Sequence, residues 1–162
     1  MNTALDVAKY VVNISNEIGF PLNRARLQAT LYYIQSHYVR RMGRLCFQDE
    51  ILFGVPVTIP SVDKYFRRYG RMEIPAICYY YLPEQEQPIV SEPFRWDSYQ
   101  FDSSVLPKED REQITELVKR YAAFPEAELL VRCAKDKPVQ SVMHGGKDTV
   151  ITIESSKKLG GD

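Results

Sequence analysis

Ala4, Val7, Val11, Ile14 and Ile18 recur at intervals of three and four, which places them on one face of a helix. Thr3 followed by Asp6 resembles a capping box with Asp in place of the usual Glu, and Gly19 suits the stop. A second helix is expected from about Asn23, with Leu27, Leu31, Ile34 and Tyr38 as its buried stripe and Tyr33 beside it. Arg40, Arg41 and Gly43 give its end signals. Gly19-Phe20-Pro21 forces a short turn between the two, so the start of the chain predicts a helical hairpin.

The pattern changes from Phe47 to Pro60. Ile51, Phe53, Val55 and Val57 alternate as in a strand, but Gly54, Pro56 and Pro60 break any long ladder. This segment is expected to be a short strand or ordered loop lying across the helices. Ser61 is expected to cap a short helix with Val62, Tyr65, Phe66 and Tyr69 on one side, Arg67 and Arg68 outward, and Gly70 at its end. Between Ile74 and Asp102 the periodicity is weakest. Ile77 to Leu82 is β-prone, prolines bound short pieces, and a small hairpin or meander with Ile89-Val90 as return strand is the expectation.

A third long helix starts at Pro107. Glu109, Asp110 and Glu112 near its start and Lys119 and Arg120 near its end suit the helix dipole; Ile114, Leu117, Val118 and Tyr121 form its apolar face. Pro125 opens another helix to about Lys135, burying Leu129, Leu130 and Cys133. The fold class is therefore α+β: a mostly helical single domain over residues 1–154, with an N-terminal helical hairpin, a short central β element and a C-terminal helix pair. Residues 155–162 form a polar, Gly-rich tail expected to fray.

Composition narrows the function classes. Lys+Arg 21 against Asp+Glu 21 leaves no excess positive charge to release counterions, so nucleic acid is disfavoured as a partner. Eleven Tyr against one Trp supply rings with polar tips, a type enriched at interfaces. Cys46, Cys78 and Cys133 are odd in number and far apart, which suggests reduced thiols and a cytoplasmic location. The N-terminus has no signal-peptide pattern, and no run approaches the roughly 18 apolar residues of a membrane span.

The candidates for chemistry are few. His37 reads as a half-exposed helix histidine. His144, in Met-His-Gly-Gly-Lys, reads as part of a turn, since the spacing around Gly145, Gly146 and Lys147 is not that of a phosphate loop. The three cysteines read as small core residues rather than nucleophiles. Acidic pairs such as Asp49/Glu50 and Glu84/Glu86 sit in polar, turn-like stretches and read as solvated. No catalytic residue, cofactor or metal ligand is assigned, and the chain is expected not to be an enzyme. Two basic runs remain, Arg24, Arg26, Arg40, Arg41, Arg44 and Arg67, Arg68, Arg71; they offer an Arg/Tyr-rich surface for an acidic partner.

Leu27-Gln28-x-x-Leu31-Tyr32-Tyr33-Ile34-Gln35 resembles the opening signature of the Panacea antitoxin domain. Gly43-Arg44-Leu45-Cys46-Phe47, Glu50-Ile51, Gly54-Val55-Pro56-Val57 and Pro60-Ser61-Val62-x-x-Tyr65 follow in that family's order and at nearly its spacing. Leu5 to Val11 is similar to the family's first helix, so residues 5 to 65 carry the specific matches. The departures are Arg26 before Leu-Gln, the altered proline stretch Gly54 to Pro60, and Arg132-Cys133-Ala134 and Pro138-Val139 where Thr-His and Pro-Trp are usual.

The resemblance implies a protein-binding domain that neutralises a cognate toxin by direct contact, in some members as an adaptor to a protease, often in phage or prophage regions. A phage-encoded inhibitor of a host defence protein is the first alternative; an enzyme with a cryptic site and a DNA-binding autoregulator follow. Tyr33, Gln35, Pro56, Pro60, Tyr65, Arg67 and Arg68 are the expected partner-binding residues.

Overall fold

The computed structural model describes residues 2–76 and 102–154. The expected hairpin at Ile77–Leu82 and Ile89–Val90, Cys78, the Glu84/Glu86 pair and the tail 155–162 lie outside the described residues.

The described residues are mostly helical, with one two-stranded sheet. Helix α1 (Ala4–Glu17) is capped by Thr3, whose Oγ1 accepts from the Asp6 N–H at 3.1 Å, and Gly19 follows its end with φ 82°. Helix α2 (Arg24–His37) is capped by Asn23, whose Oδ1 accepts from the Arg26 N–H at 2.9 Å. Its last turn widens into a π-helical turn, Tyr38–Met42, closed by Gly43 at φ 71°. Ala4, Val7, Ala8 and Val11 of α1, Leu27, Leu31 and Ile34 of α2, and Tyr38 of the π-helical turn are fully buried.

The C-terminal helices complete this core. Helix α4 (Lys108–Ala122) lies chiefly against α1, and α5 (Glu126–Lys135) chiefly against α2. The C-terminal pair thus packs as two partners of the N-terminal hairpin. Ile114, Leu117, Val118, Leu129 and Cys133 are buried as expected, while Leu130 is only partly so. Burying one such side chain contributes about 1.5–3 kcal/mol, so these faces supply most of the stability.

Helix α3 (Pro60–Phe66), continued by a 3-10 turn over Arg67–Tyr69, crosses α1 and α2. The expected Ser61 cap is not formed, because Pro60 already occupies the first turn. Ser61 Oγ instead donates to Asp49 Oδ2 at 3.0 Å. The other oxygen of Asp49 accepts from the Ala4 N–H at 2.8 Å, so one carboxylate ties the start of α1 to α3.

The central β element is shorter than its alternating pattern suggested. Strand β1 is Ile51–Leu52, and it pairs antiparallel with β2, Val150–Ile151, a partner the sequence did not signal. A short helix α6 (Lys137–Gln140) and a turn over Met143–Gly145 carry the chain from α5 to β2. Among the described residues no helix is long and apolar enough to cross a membrane.

Candidate functional site

The irregular segment from Cys46 to Pro60 is held by two glutamines of α2, seven residues apart. Gln28 Oε1 accepts from the Ile59 N–H at 2.9 Å, and its amide donates to the Ile59 carbonyl at 3.4 Å. Gln35 Oε1 accepts from the N–H groups of Cys46 at 2.8 Å and Phe47 at 3.3 Å, while its Nε2 donates to the Phe47 carbonyl at 2.8 Å. Both amides are buried, and they satisfy backbone groups that a longer sheet would otherwise pair. Gln35 was expected at a partner surface; at 5% exposure it is part of the frame.

That frame projects a loop. The Leu52 N–H donates to the Thr58 carbonyl at 2.8 Å and the Thr58 N–H returns to the Leu52 carbonyl at 3.0 Å, closing residues 53–57 at their base. The Val55–Pro56 peptide is cis. Gly54 has no room for a side chain, since a Cβ there would sit 2.8 Å from the Pro56 carbonyl oxygen. Val55, at the tip, is 92% exposed. Beside it runs a groove of about 860 Å³ lined by Pro56, Pro60, Asp63, Arg67 and Lys147.

The expected binding residues therefore divide. Pro56, Pro60 and Arg67 share the loop groove. Arg67 is exposed but held by Asp63 at 2.9 Å, which also takes Arg24 at 2.7 Å. Burial tends to raise the Asp63 carboxyl, and these two guanidiniums outweigh it and hold the group below its ordinary range. Tyr65 faces α1, with Lys9 Nζ 4.5 Å from its ring centroid, and exposed Arg68 is close enough to it to offset part of the upward push that burial gives its hydroxyl.

Tyr33 lies elsewhere, in two adjoining grooves beside the ends of α2 and α4, the second of which reaches α5. It stacks on Tyr121 with centroids 5.0 Å apart, and Tyr121 is followed by Phe124 at 6.4 Å. A groove of about 550 Å³ passes these rings, lined by Tyr33, His37, Arg40, Arg41, Arg120 and Tyr121. A second, of about 370 Å³, continues to Phe124, Leu129, Arg132 and Lys135. Burial, then Arg120 and Arg41, hold the His37 imidazole below its ordinary value.

The first basic run is no single patch. Arg24 goes to Asp63, Arg44 to Asp110 at 2.8 Å and Arg40 to Asp136 at 3.2 Å. Arg26 Nη2 donates to the carbonyls of Tyr121, Ala122 and Phe124, the nearest at 2.5 Å, so it closes the end of α4. Among the described residues Arg41 has no carboxylate within ion-pair distance.

The other reactive groups are occupied or inert. Burial pushes the Cys46 and Cys133 thiols up to about 12, so both stay protonated. The N–H groups of Gly145 and Gly146 are spent on the Val142 and Met143 carbonyls, which leaves a turn rather than an anion cradle. Among the described residues no three His, Cys, Asp or Glu side chains are grouped to hold a metal ion.

No family model matches the chain, no curated protein matches it, and no solved structure matches it.

Proposed function

We propose that this chain acts by binding a protein, not by catalysis, and that it does so in the cytoplasm through the proline loop and the adjoining side of α3. The observation that carries the reading is Val55, an apolar side chain almost wholly exposed at the tip of a loop tied at its base. A preorganised anchor loses little further freedom on association, and a single well-placed apolar side chain can carry much of a binding energy. Pro56 and Pro60 extend the apolar contact, and Arg67 and Lys147 give it a polar rim.

The resemblance to the Panacea domain supports a partner of one kind: a toxin neutralised by direct contact, with hand-over to a protease as a variant of the same role. Its Leu-Gln and Ile-Gln positions here, Gln28 and Gln35, hold the loop's frame, so the motif has a mechanical reason to accompany a projecting loop. The test is co-expression with a small open reading frame beside this gene that is toxic alone. The wild-type chain should restore growth and Val55→Glu should not, at equal levels of soluble protein. Equal rescue by both would remove the loop from the binding face. A chain that rescues nothing and turns over a small molecule would overturn the reading altogether.

A further inference from the structure

Resting on that reading, we propose that the partner also offers an extended acidic peptide segment, which lies in the aromatic–basic groove between α2, α4 and α5 and sets an apolar side chain at its α5 end.

The charge on this face departs from the neutrality of the chain. Arg40, Arg41 and Arg120 line one part of the groove, and Arg132 and Lys135 the next. Asp136 is the one carboxylate lining either part. It is already engaged, accepting from the Tyr32 hydroxyl and from Arg40 at 3.2 Å. Among the described residues Arg41, Arg120 and Lys135 have no carboxylate within ion-pair distance. Planar guanidiniums in this arrangement suit carboxylates, which they take through paired hydrogen bonds.

The rings decide between a peptide and a nucleic acid. Bases of single strands stack on free aromatic faces. Here Tyr33 is stacked on Tyr121 and meets Tyr32 edge-on at 5.5 Å, and Arg132 lies over the Phe124 ring at 4.7 Å. Those faces are spent on one another. Ring edges and the Tyr33 hydroxyl remain; burial pushes that hydroxyl's pKa up, so it stays a neutral hydrogen-bonding group at physiological pH. The α5 end, floored by Phe124 and Leu129, gives an apolar side chain a place to be buried.

The probe is a fluorescein-labelled peptide of Asp and Glu around a central Phe, followed by polarisation, with its Asn/Gln counterpart and a labelled oligothymidylate as comparisons. The full chain should bind the acidic peptide, more weakly as salt rises, and the neutral peptide at least about tenfold less. Arg41→Glu with Arg120→Glu, both exposed, should abolish the difference; Lys64→Glu with Arg71→Glu, an equal change of charge elsewhere, should preserve it. Unchanged thermal unfolding keeps the comparison valid, and Arg41→Gln with Arg120→Gln, without charge reversal, gives a second reading. No acidic-peptide binding, or equal loss in both charge-reversed variants, overturns the proposal. Tighter binding of the oligothymidylate, lost with Arg41 and Arg120, overturns it in favour of nucleic acid. If toxin rescue depends on Val55 yet ignores Arg41 and Arg120, this groove fails and the protein-binding reading stands.

Discussion

Asp110 is a carboxylate taken almost out of water, at 4% exposure. Burial alone would raise its pKa, but Arg44, the Asn2 amide at 2.9 Å and the Tyr38 hydroxyl at 2.8 Å outweigh it and hold the group below its ordinary range. The unfolded chain then binds the proton more readily than the folded one. Stability from this group is complete above the ordinary carboxylate value of about 3.9 and drains away as pH falls through the lower folded value. Asp110→Asn should cost about 1–3 kcal/mol at neutral pH and flatten the fall of melting temperature below about pH 4; an unchanged acid limb would remove Asp110 from that role. Gln35 makes a sharper residue-scale case. Gln35→Leu keeps the volume but strands two N–H groups and a carbonyl, so urea unfolding should register a loss of about 2–4 kcal/mol. A loss under about 0.5 kcal/mol would mean that water can replace the clamp.

Helices were legible in the sequence because their apolar positions recur with the helical period, and Thr3, Gly19, Pro107 and Pro125 mark their ends. Of the sheet only β1 was, since it falls in the alternating segment expected to hold a short strand or ordered loop. Its partner β2 is two residues long, too short to show alternation, and is separated from β1 by most of the chain. The capping of α3 misled for a local reason: Ser61 has the right chemistry for a cap, but Pro60 sets the helix start before it. The cap of α4 is supplied at long range by Arg26, which periodicity leaves on a polar face. Arg26→Met should therefore lower stability by about 1–2 kcal/mol although it removes no ion pair, a loss that chemical unfolding would read. Val55→Glu, by contrast, should change melting by no more than about 0.5 kcal/mol equivalent, because the side chain touches solvent rather than the core.

On the scale of the whole molecule, α1, α2, α4 and α5 supply much of the described core, α3 and the segment clamped to α2 add to it, and the tip of that segment makes the surface feature. A neutral total of charge concealed how unevenly the charge is used. Most arginines of the first basic run are consumed by carboxylates and helix ends, while Arg41 joins Arg120 beside stacked rings. Tyr33, Pro56 and Tyr65 could be picked out singly from the sequence, yet their division among three faces is a property of how α5 and α1 cover α2 and α3. Gln35 was misplaced because a polar residue within a motif reads as surface until its backbone partners are known. The proposed grip on a protein rests on the loop that carries Val55. The most direct measurement is affinity capture from the native host, comparing tagged wild type with Val55→Glu by quantitative mass spectrometry. One protein should be retained near stoichiometrically by the wild type and lost from the variant; identical recoveries from the two would contradict binding through this loop.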